Sequence, residues 1–303
     1  MTRGSVLITG GGGFVGSHLA EGLGALGFEP VIADRSFDGE TLRRLGRFRR
    51  IDMTVEDLAS AGPVDFMIHG AATTARPEEV GLTVADYLQG ELQLLFDTAA
   101  AAELMGVRRF VQISSMAVFS ARHPGPLDEA AVPDATIPYG TAKRMGEAAT
   151  ACLVAEAGLD AVSVRFGNLY GPHEVSRPTR PRTSLLRRIA DMAADGRIVL
   201  DTPDMVREWT WVPDLAPCFA ALLEAPAPPG PVIHMCAPHA YSDRALADVM
   251  RRRWQAATVE TAAGAAPAPV RRPMASRHAA FFRDVAWTRA EEAVGRLAER
   301  AGS

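Results

Sequence analysis

The sequence predicts an α/β protein: a doubly wound parallel sheet followed by a smaller α/β region at the C-terminal end. Three observations carry this reading. Short apolar runs of strand length alternate with longer runs of helical period between Val6 and Phe166, and such alternation means parallel strands joined by right-handed crossovers. The first apolar run, Val6-Leu7-Ile8-Thr9, opens directly into four consecutive glycines at positions 10–13 and then into a helical pattern. After Gly171-Pro172 the alternation loosens, which marks a second and less regular part.

Taken in order, the first helix shows Phe14, Val15, Leu19, Leu23 and Leu26 at helical spacing and ends at Gly27. The second strand is Pro30-Val31-Ile32-Ala33-Asp34. A short basic helix at 42–45, a strand ending Ile51-Asp52-Met53, a helix near 55–59 and a strand at 66–69 follow. A long helix at 84–105 is closed by Gly106, and a strand spans 109–115. Pro124, Pro126 and Pro133 mark a loop, residues 139–156 a helix ended by Gly158, and 161–166 a sixth strand. The looser part holds Arg177, Arg180 and Arg182 with two prolines, a helix at 184–194 and strands at 198–200, 209–212 and 232–235. Asp214 reads as a helix cap, 225–231 as a surface connection, and 242–254 as a helix capped by Ser242 or Asp243. A mobile low-complexity loop is expected at 262–269 and a last helix at 288–299. No internal repeat is evident.

Bulk properties narrow the function classes. A chain of 303 residues with 48% hydrophobic and 22% charged residues suits a soluble protein of two domains or one large one. A net charge of −4 supplies no field for nucleic acid. Cys152, Cys218 and Cys236 lie far apart without CxxC spacing, as expected of small buried side chains in a reducing compartment and not of a disulfide frame or metal site. No run of 18 apolar residues and no signal peptide is seen, so no membrane partner and a cytoplasmic setting are expected.

Ligands of doubly wound sheets sit beyond the carboxyl ends of the strands, where Asp34, Gly70, Ser115 and Asn168 fall. The turn after the first strand fits the dinucleotide fingerprint as Gly11-x-Gly13-x-x-Gly16. Alone it could be a plain glycine-rich turn; the strand before, the helix after and Asp34 downstream favour a nucleotide. A carboxylate at Asp34 would accept from the adenine-ribose hydroxyls and repel a 2′-phosphate, favouring NAD over NADP, although Arg35 beside it tempers that preference. Asp52 with Met53 could touch the adenine, and a strand-end turn is the other reading of both acids. His69 reads as a packed strand-end residue. Tyr139 and Lys143 stand one helical turn apart on one face. An ammonium beside a phenol favours the phenolate, so the pair could move a proton at a substrate hydroxyl while a nicotinamide trades hydride. A surface tyrosine with a solvated lysine is the alternative for that pair taken alone.

In this combination the chain resembles the extended short-chain dehydrogenase/reductases, the NAD-dependent epimerase/dehydratase family. The matching pieces are Thr9-Gly10-x-x-Gly13-x-x-Gly16, Asp34, Asp52, Gly70-Ala71-Ala72, Ile113-Ser114-Ser115-x-x-Val118-Phe119 and Pro126-Leu127-x-Glu129. Further on come Tyr139-x-x-x-Lys143, Arg165-x-x-Asn168-x-Tyr170-Gly171-Pro172 and Arg207-Glu208-Trp209-Thr210-Trp211-Val212-x-Asp214. The resemblance implies a Rossmann domain over 1–170, to which part of 205–235 returns, and a substrate-binding region over 171–303. It makes Tyr139 the acid/base, Lys143 its electrostatic partner and Ser115 the hydroxyl on the reacting oxygen. It lines NAD with Gly10, Gly13, Phe14, Val15, Gly16, Asp34, Asp52, Met53, Gly70, Ala71, Ala72, Ser114, Tyr139, Lys143 and Phe166. Asn168 would touch substrate, and Arg207 would pair with a sugar-nucleotide diphosphate. Arg180, Arg182 and Arg187 could add to an anionic site or form a solvated basic face; Arg182 is carried as a substrate-site candidate.

Three departures bear on function. Phe119-Ser120 stands where the family usually has Tyr-Gly, Tyr87 stands where an asparagine is common, and Met116-Ala117 replaces the acid pair of the 4,6-dehydratases. Neither Met nor Ala transfers a proton, which argues against dehydration. The expected function is therefore NAD-dependent epimerisation of a sugar nucleotide, most simply at C4. The alternative is a dehydrogenase or reductase of a sugar, sugar acid or other small hydroxy compound, favoured by the short C-terminal part and Tyr87. A non-catalytic nucleotide-binding role is opposed by the intact Ser115, Tyr139 and Lys143. The resemblance further implies a homodimer through a four-helix bundle of helices 84–105 and 139–156.

Overall fold

The computed structural model describes residues 2–255, 258–264 and 272–298. Seven parallel strands form the main sheet. They are β1 (Ser5–Thr9), β2 (Glu29–Asp34), β3 (Arg49–Asp52), β4 (Phe66–His69), β5 (Arg109–Ser115), β6 (Ala161–Phe166) and, later in the chain, β10 (Val232–Met235). Their order is β10-β6-β5-β4-β1-β2-β3. The direction of winding reverses between β1 and β4, and a crevice opens at that reversal.

The crossovers are α1 (Phe14–Ala25), α2 (Gly39–Leu45), α3 (Val84–Met105) and α4 (Pro138–Ala157), with α6 (Leu215–Glu224) preceding β10. Asp38 caps α2 through Thr41 N, and Thr83 caps α3 through Asp86 N. Gly106 and Gly158 end α3 and α4 in the left-handed conformation that glycine adopts without strain. Strand side chains alternate between two buried faces. Val6 and Ile8 pack with Leu19, Leu23, Leu215 and Phe219 on one face. Leu7 and Met67 pack with Leu95, Ala99 and Phe110 on the other.

The second part is built from β7 (Asn168–Tyr170), α5 (Leu185–Ala194), β8 (Arg197–Leu200) and β9 (Val206–Trp211). It continues with β11 (Ala240–Ser242), α7 (Asp243–Trp254), β12 (Thr258–Thr261) and α8 (Ala290–Ala298). β9 lies between β11 and β7, and β12 pairs with β8. Leu186, Ile189, Ile198, Trp209, Trp211, Leu246, Met250 and Val294 form its own core.

Several expectations change. The helix expected at 55–59 is a short 3₁₀ turn, Leu58–Ala61, capped by Asp57. The strand expected at 209–212 begins at Val206, because β11 pairs with Val206, Arg207 and Glu208. Asp214 holds the N-cap position of α6 as expected, but its side chain makes no capping bond; its carboxylate accepts from Thr288 N at 2.6 Å and Thr288 Oγ1 at 2.9 Å. Ser242, not Asp243, caps α7. The last helix starts at Ala290, and residue 299 of its expected span lies outside the described residues. Of the loop expected at 262–269, residues 265–269 lie outside the described residues. Cys152 is exposed on α4, whereas Cys218 is buried. Among the described residues no helix is long and apolar enough to cross a membrane.

Candidate active site

A cavity of about 1250 Å³ runs along the carboxyl ends of the strands and into the second part. Roughly 300–1,000 Å³ suffices for one small ligand, so the space suits two. Its wall brings together Gly10, Gly13, Phe14, Val15, Gly16, Asp34, Gly70, Ala72, Ser114, Ser115, Tyr139, Lys143, Phe166, Asn168 and Arg207.

Five candidates stand elsewhere. Asp52 is exposed, and its carboxylate accepts from Thr54 Oγ1 at 2.6 Å and Thr54 N at 3.0 Å, which hold it below the usual carboxylate range. It is the strand-end turn. Met53 packs on the face of the sheet that carries Leu7 and Met67. Ala71 lies behind Gly10, outside the cavity wall. Arg182 pairs with Glu79 with its side chain 59% exposed, and Arg187 pairs with Asp191 along α5.

The glycine loop is built for close approach. Gly10 has φ +70°, and a Cβ there would lie 2.8 Å from Ala71 N and from Gly70 O. A Cβ on Gly16 would lie 2.2 Å from Gly10 O, so only glycine lets α1 start against the turn. Gly13 is the N-cap of α1, with no side chain bonded over the first amides. Open amides at a helix start suit an anion. Asp34 pins the loop: its Oδ2 accepts from Gly12 N at 2.9 Å and its Oδ1 from Arg35 N at 2.7 Å. The loop, the bare helix start and Asp34 in one wall fit a dinucleotide.

Tyr139 follows Pro138, the first residue of α4, and Lys143 is one turn on. A Cβ on Gly140 would lie 2.2 Å from Ala117 O, so glycine lets α4 press against the turn that carries Ser115. The Lys143 ammonium is buried, donates to Ile113 O at 3.1 Å and lies 5.7 Å from the centre of the Tyr139 ring. Ser115 caps the short turn Met116–Val118 by accepting from Ala117 N at 3.1 Å, which leaves its own O–H to donate. Tyr87 is buried, and its hydroxyl donates to Thr73 O. His69 is packed as expected, shares its Nδ1 with Thr98 Oγ1 at 3.0 Å, and is pushed by burial down to about 3.

At the far end, Arg207 is already engaged. Its Nε meets Asp243 Oδ1 at 3.0 Å and its Nη2 meets Asp243 Oδ2 at 3.2 Å; the Asp243 side chain is 2% exposed. This arrangement uses one edge of the guanidinium and leaves Nη1 for a ligand. Asn168 donates through N and Nδ2 to Glu208 Oε1, at 3.2 and 3.1 Å.

Sequence reasoning missed a buried chain of charges behind Ser115. Ser114 Oγ donates to Glu147 Oε1 at 2.6 Å, and Arg165 bonds both Glu147 oxygens at 2.7 Å. The other Arg165 edge meets His234 Nε2 at 3.2 Å. His234 donates from Nδ1 to Ala275 O at 2.9 Å, so Nε2 is the acceptor, and burial holds the ring below the ordinary imidazole range. Its backbone N–H donates to Glu129 Oε1 at 2.9 Å. Glu147 stands one turn beyond Lys143, a spacing that could have been noticed. Glu91 was also missed; it accepts from Thr73 N at 2.7 Å, and burial pushes its carboxyl up.

Residues 6–236 match the NAD dependent epimerase/dehydratase family. The chain belongs to that family. Members depend on NAD, as the loop and Asp34 lead one to expect. The chain is 29% identical over 232 residues to a UDP-glucose 4-epimerase of Azospirillum brasilense, covering 70% of this chain and 66% of that one. It is 28% identical over 187 residues to a UDP-glucose 4-epimerase of Bacillus subtilis, covering 57% and 55%. These matches thus span between about half and two thirds of the relatives' length. A UDP-N-acetylglucosamine 4-epimerase from Bacillus cereus shares the fold at a TM-score of 0.82 and 21% identity, covering 99% of this chain and 100% of that one.

Proposed function

We propose that the protein is an NAD-dependent sugar-nucleotide epimerase, acting most simply at C4. The observation that carries this is Tyr139, Lys143 and Ser115 in one cavity with the glycine loop at one end and Arg207 at the other. Bound NAD supplies a hydride acceptor that later returns the hydride. Ser115 donates to the reacting sugar oxygen and holds it. Tyr139, with the Lys143 ammonium 5.7 Å from its ring centre, is placed to take the hydroxyl proton as the carbonyl forms. Once the keto sugar has presented its other face, Tyr139 would give the proton back to the same oxygen, which Ser115 still holds. No net oxidation results. Asp34 favours NAD over NADP, and Arg207 Nη1, which bonds nothing among the described residues, suits a diphosphate.

Dehydration is disfavoured by Met116 and Ala117, which cannot move a proton. Residues 1–170 are read as the NAD domain, with part of 205–235 returning to it, and 171–303 as the substrate region. A homodimer through α3 and α4 is supported by Phe96, Met145 and Val154, which are 45%, 40% and 42% exposed on those helices. A cytoplasmic setting goes with this reading.

The test is to incubate the purified protein with UDP-sugars and no added NAD, following product by NMR and reduced nicotinamide by absorbance. Interconversion of C4 epimers without net nicotinamide reduction is the expected result. Turnover that requires added NAD and accumulates its reduced form would establish the dehydrogenase instead.

A further inference from the structure

Residues 173–182 leave β7 and cross the dinucleotide half of the cavity, with His173, Val175, Arg177, Thr179 and Arg180 in its wall. This strap is tied down on both sides. Arg177 pairs with Asp38, and His173 with Glu40, at the start of α2. On the opposite side the Thr179 carbonyl accepts from Thr74 N at 2.8 Å and Ala75 N at 3.0 Å, in the loop after β4. A tight turn between the anchors is closed by reciprocal backbone bonds of Arg177 and Arg180, at 2.9 and 2.8 Å.

Arg180 is carried on that turn. Its guanidinium lies over the ring of Phe14, the first residue of α1, at 4.8 Å from the centroid. Its Nη2 is paired with Glu174, which also accepts from Ser184 N at 2.7 Å and Ser184 Oγ at 2.6 Å. Its Nη1 is shut from water and has no hydrogen-bond partner among the described residues. A cationic N–H without an acceptor is costly to bury. The start of α1, beside it, lacks a capping side chain. One anionic group held between them would satisfy both.

We propose that Arg180 is a cofactor-binding residue that bonds the dinucleotide diphosphate together with the start of α1, and that the doubly anchored strap keeps the cofactor bound through turnover. This deepens the epimerase reading and rests on it, because that reaction needs a dinucleotide that stays between its two halves.

The test follows exchange of bound NAD for deuterium-labelled NAD by mass spectrometry, with no sugar present. Calorimetric titrations of ADP-ribose, adenosine and UDP accompany it. Arg180→Ala is expected to speed exchange and weaken ADP-ribose by about tenfold or more, as loss of a charge-assisted bond would, and to leave adenosine unchanged. Arg180→Lys should fall between, and Arg182→Ala, outside the cavity, should match the parent. If Arg180→Ala is not recovered folded, Arg180→Lys and Arg177→Ala carry the same comparison. Exchange at the parental rate would overturn the proposal. So would equal weakening of adenosine, the mark of a merely structural role, or weakening of UDP alone, the mark of a substrate contact. No sugar turnover enters these measurements, so a failed epimerase assay and a failed exchange result remain distinct.

Discussion

Glu147 and Arg165 meet as a two-point ion pair, both contacts at 2.7 Å, with side chains 8% and 4% exposed. The pair joins α4 to β6 directly behind Ser114, whose hydroxyl donates to the same carboxylate. Removing one partner leaves the other charged and buried, which costs about 3–5 kcal/mol. Glu147→Ala and Arg165→Ala are therefore each expected to lower stability by roughly that amount in urea titrations. Replacing both residues with apolar side chains of similar volume should recover much of the loss. A double variant as unstable as the sum of the singles would show that the pair is not coupled.

Tyr139 carries the heaviest catalytic expectation. Proton transfer by a placed side chain contributes about 10²–10⁴-fold, so Tyr139→Phe should lower kcat by a factor in that range. The ring stays, so NAD binding and stability should hold. Lys143→Met should lower kcat as well and also weaken NAD, because its ammonium is buried in the same wall. Steady-state kinetics beside NAD titration separates the two. Wild-type turnover in Tyr139→Phe would remove the phenol from the mechanism.

The glycine positions make a structural prediction that divides glycines by what surrounds them. A Cβ on Gly16 would meet Gly10 O at 2.2 Å, and one on Gly10 would meet backbone at 2.8 Å with φ at +70°. Gly16→Ala and Gly10→Ala should lose NAD binding and several kcal/mol, on the order of the largest point-mutation effects. Gly295, inside α8, has nothing within 4 Å of an added Cβ. Gly295→Ala should stabilise by about 0.5–1 kcal/mol, since alanine has less backbone freedom to lose. Thermal melts of the three variants check the contrast.

Much of this molecule was legible because its information is local. The run from Val6 through the glycines to Phe14 contains a strand, its turn and the helix start in adjacent residues. Tyr139 and Lys143 declare themselves by helical spacing, and both stand in the cavity wall. What was not legible depends on partners distant in sequence. Thr258–Thr261 has no apolar alternation and is a strand only because β8 pairs with it. Asp243 reads as a helix-start residue until folding brings Arg207 to it. Arg180 and Arg182 look alike in sequence, yet the turn at 177–180 carries the first into the cavity wall and leaves the second on Glu79. Asp214 matched a cap by position, but its carboxylate was claimed by Thr288.

Two of the buried histidines, His18 and His69, make the fold less stable in acid. Burial pushes His18 down to about 4 and His69 down to about 3, from an ordinary value of 6.5. Both are neutral in the native state, and His18 donates from Nδ1 to Phe14 O at 2.8 Å. Well above pH 6.5 neither folded nor unfolded chain protonates them, and their contribution to stability is complete. As pH falls from 6.5 toward 4, the unfolded chain binds protons that the native state refuses, so stability falls. At pH 5 the loss is about 2 kcal/mol for each histidine. His69→Gln removes one such site while keeping a polar group for Thr98 and Thr9. Its stability should therefore fall less steeply than the parent's between pH 6.5 and 5, by a difference that approaches about 1.4 kcal/mol per pH unit near pH 5. Urea titrations of both proteins at several pH values measure this slope directly. Parallel slopes would mean that His69 is protonated as readily in the folded chain as in the unfolded one.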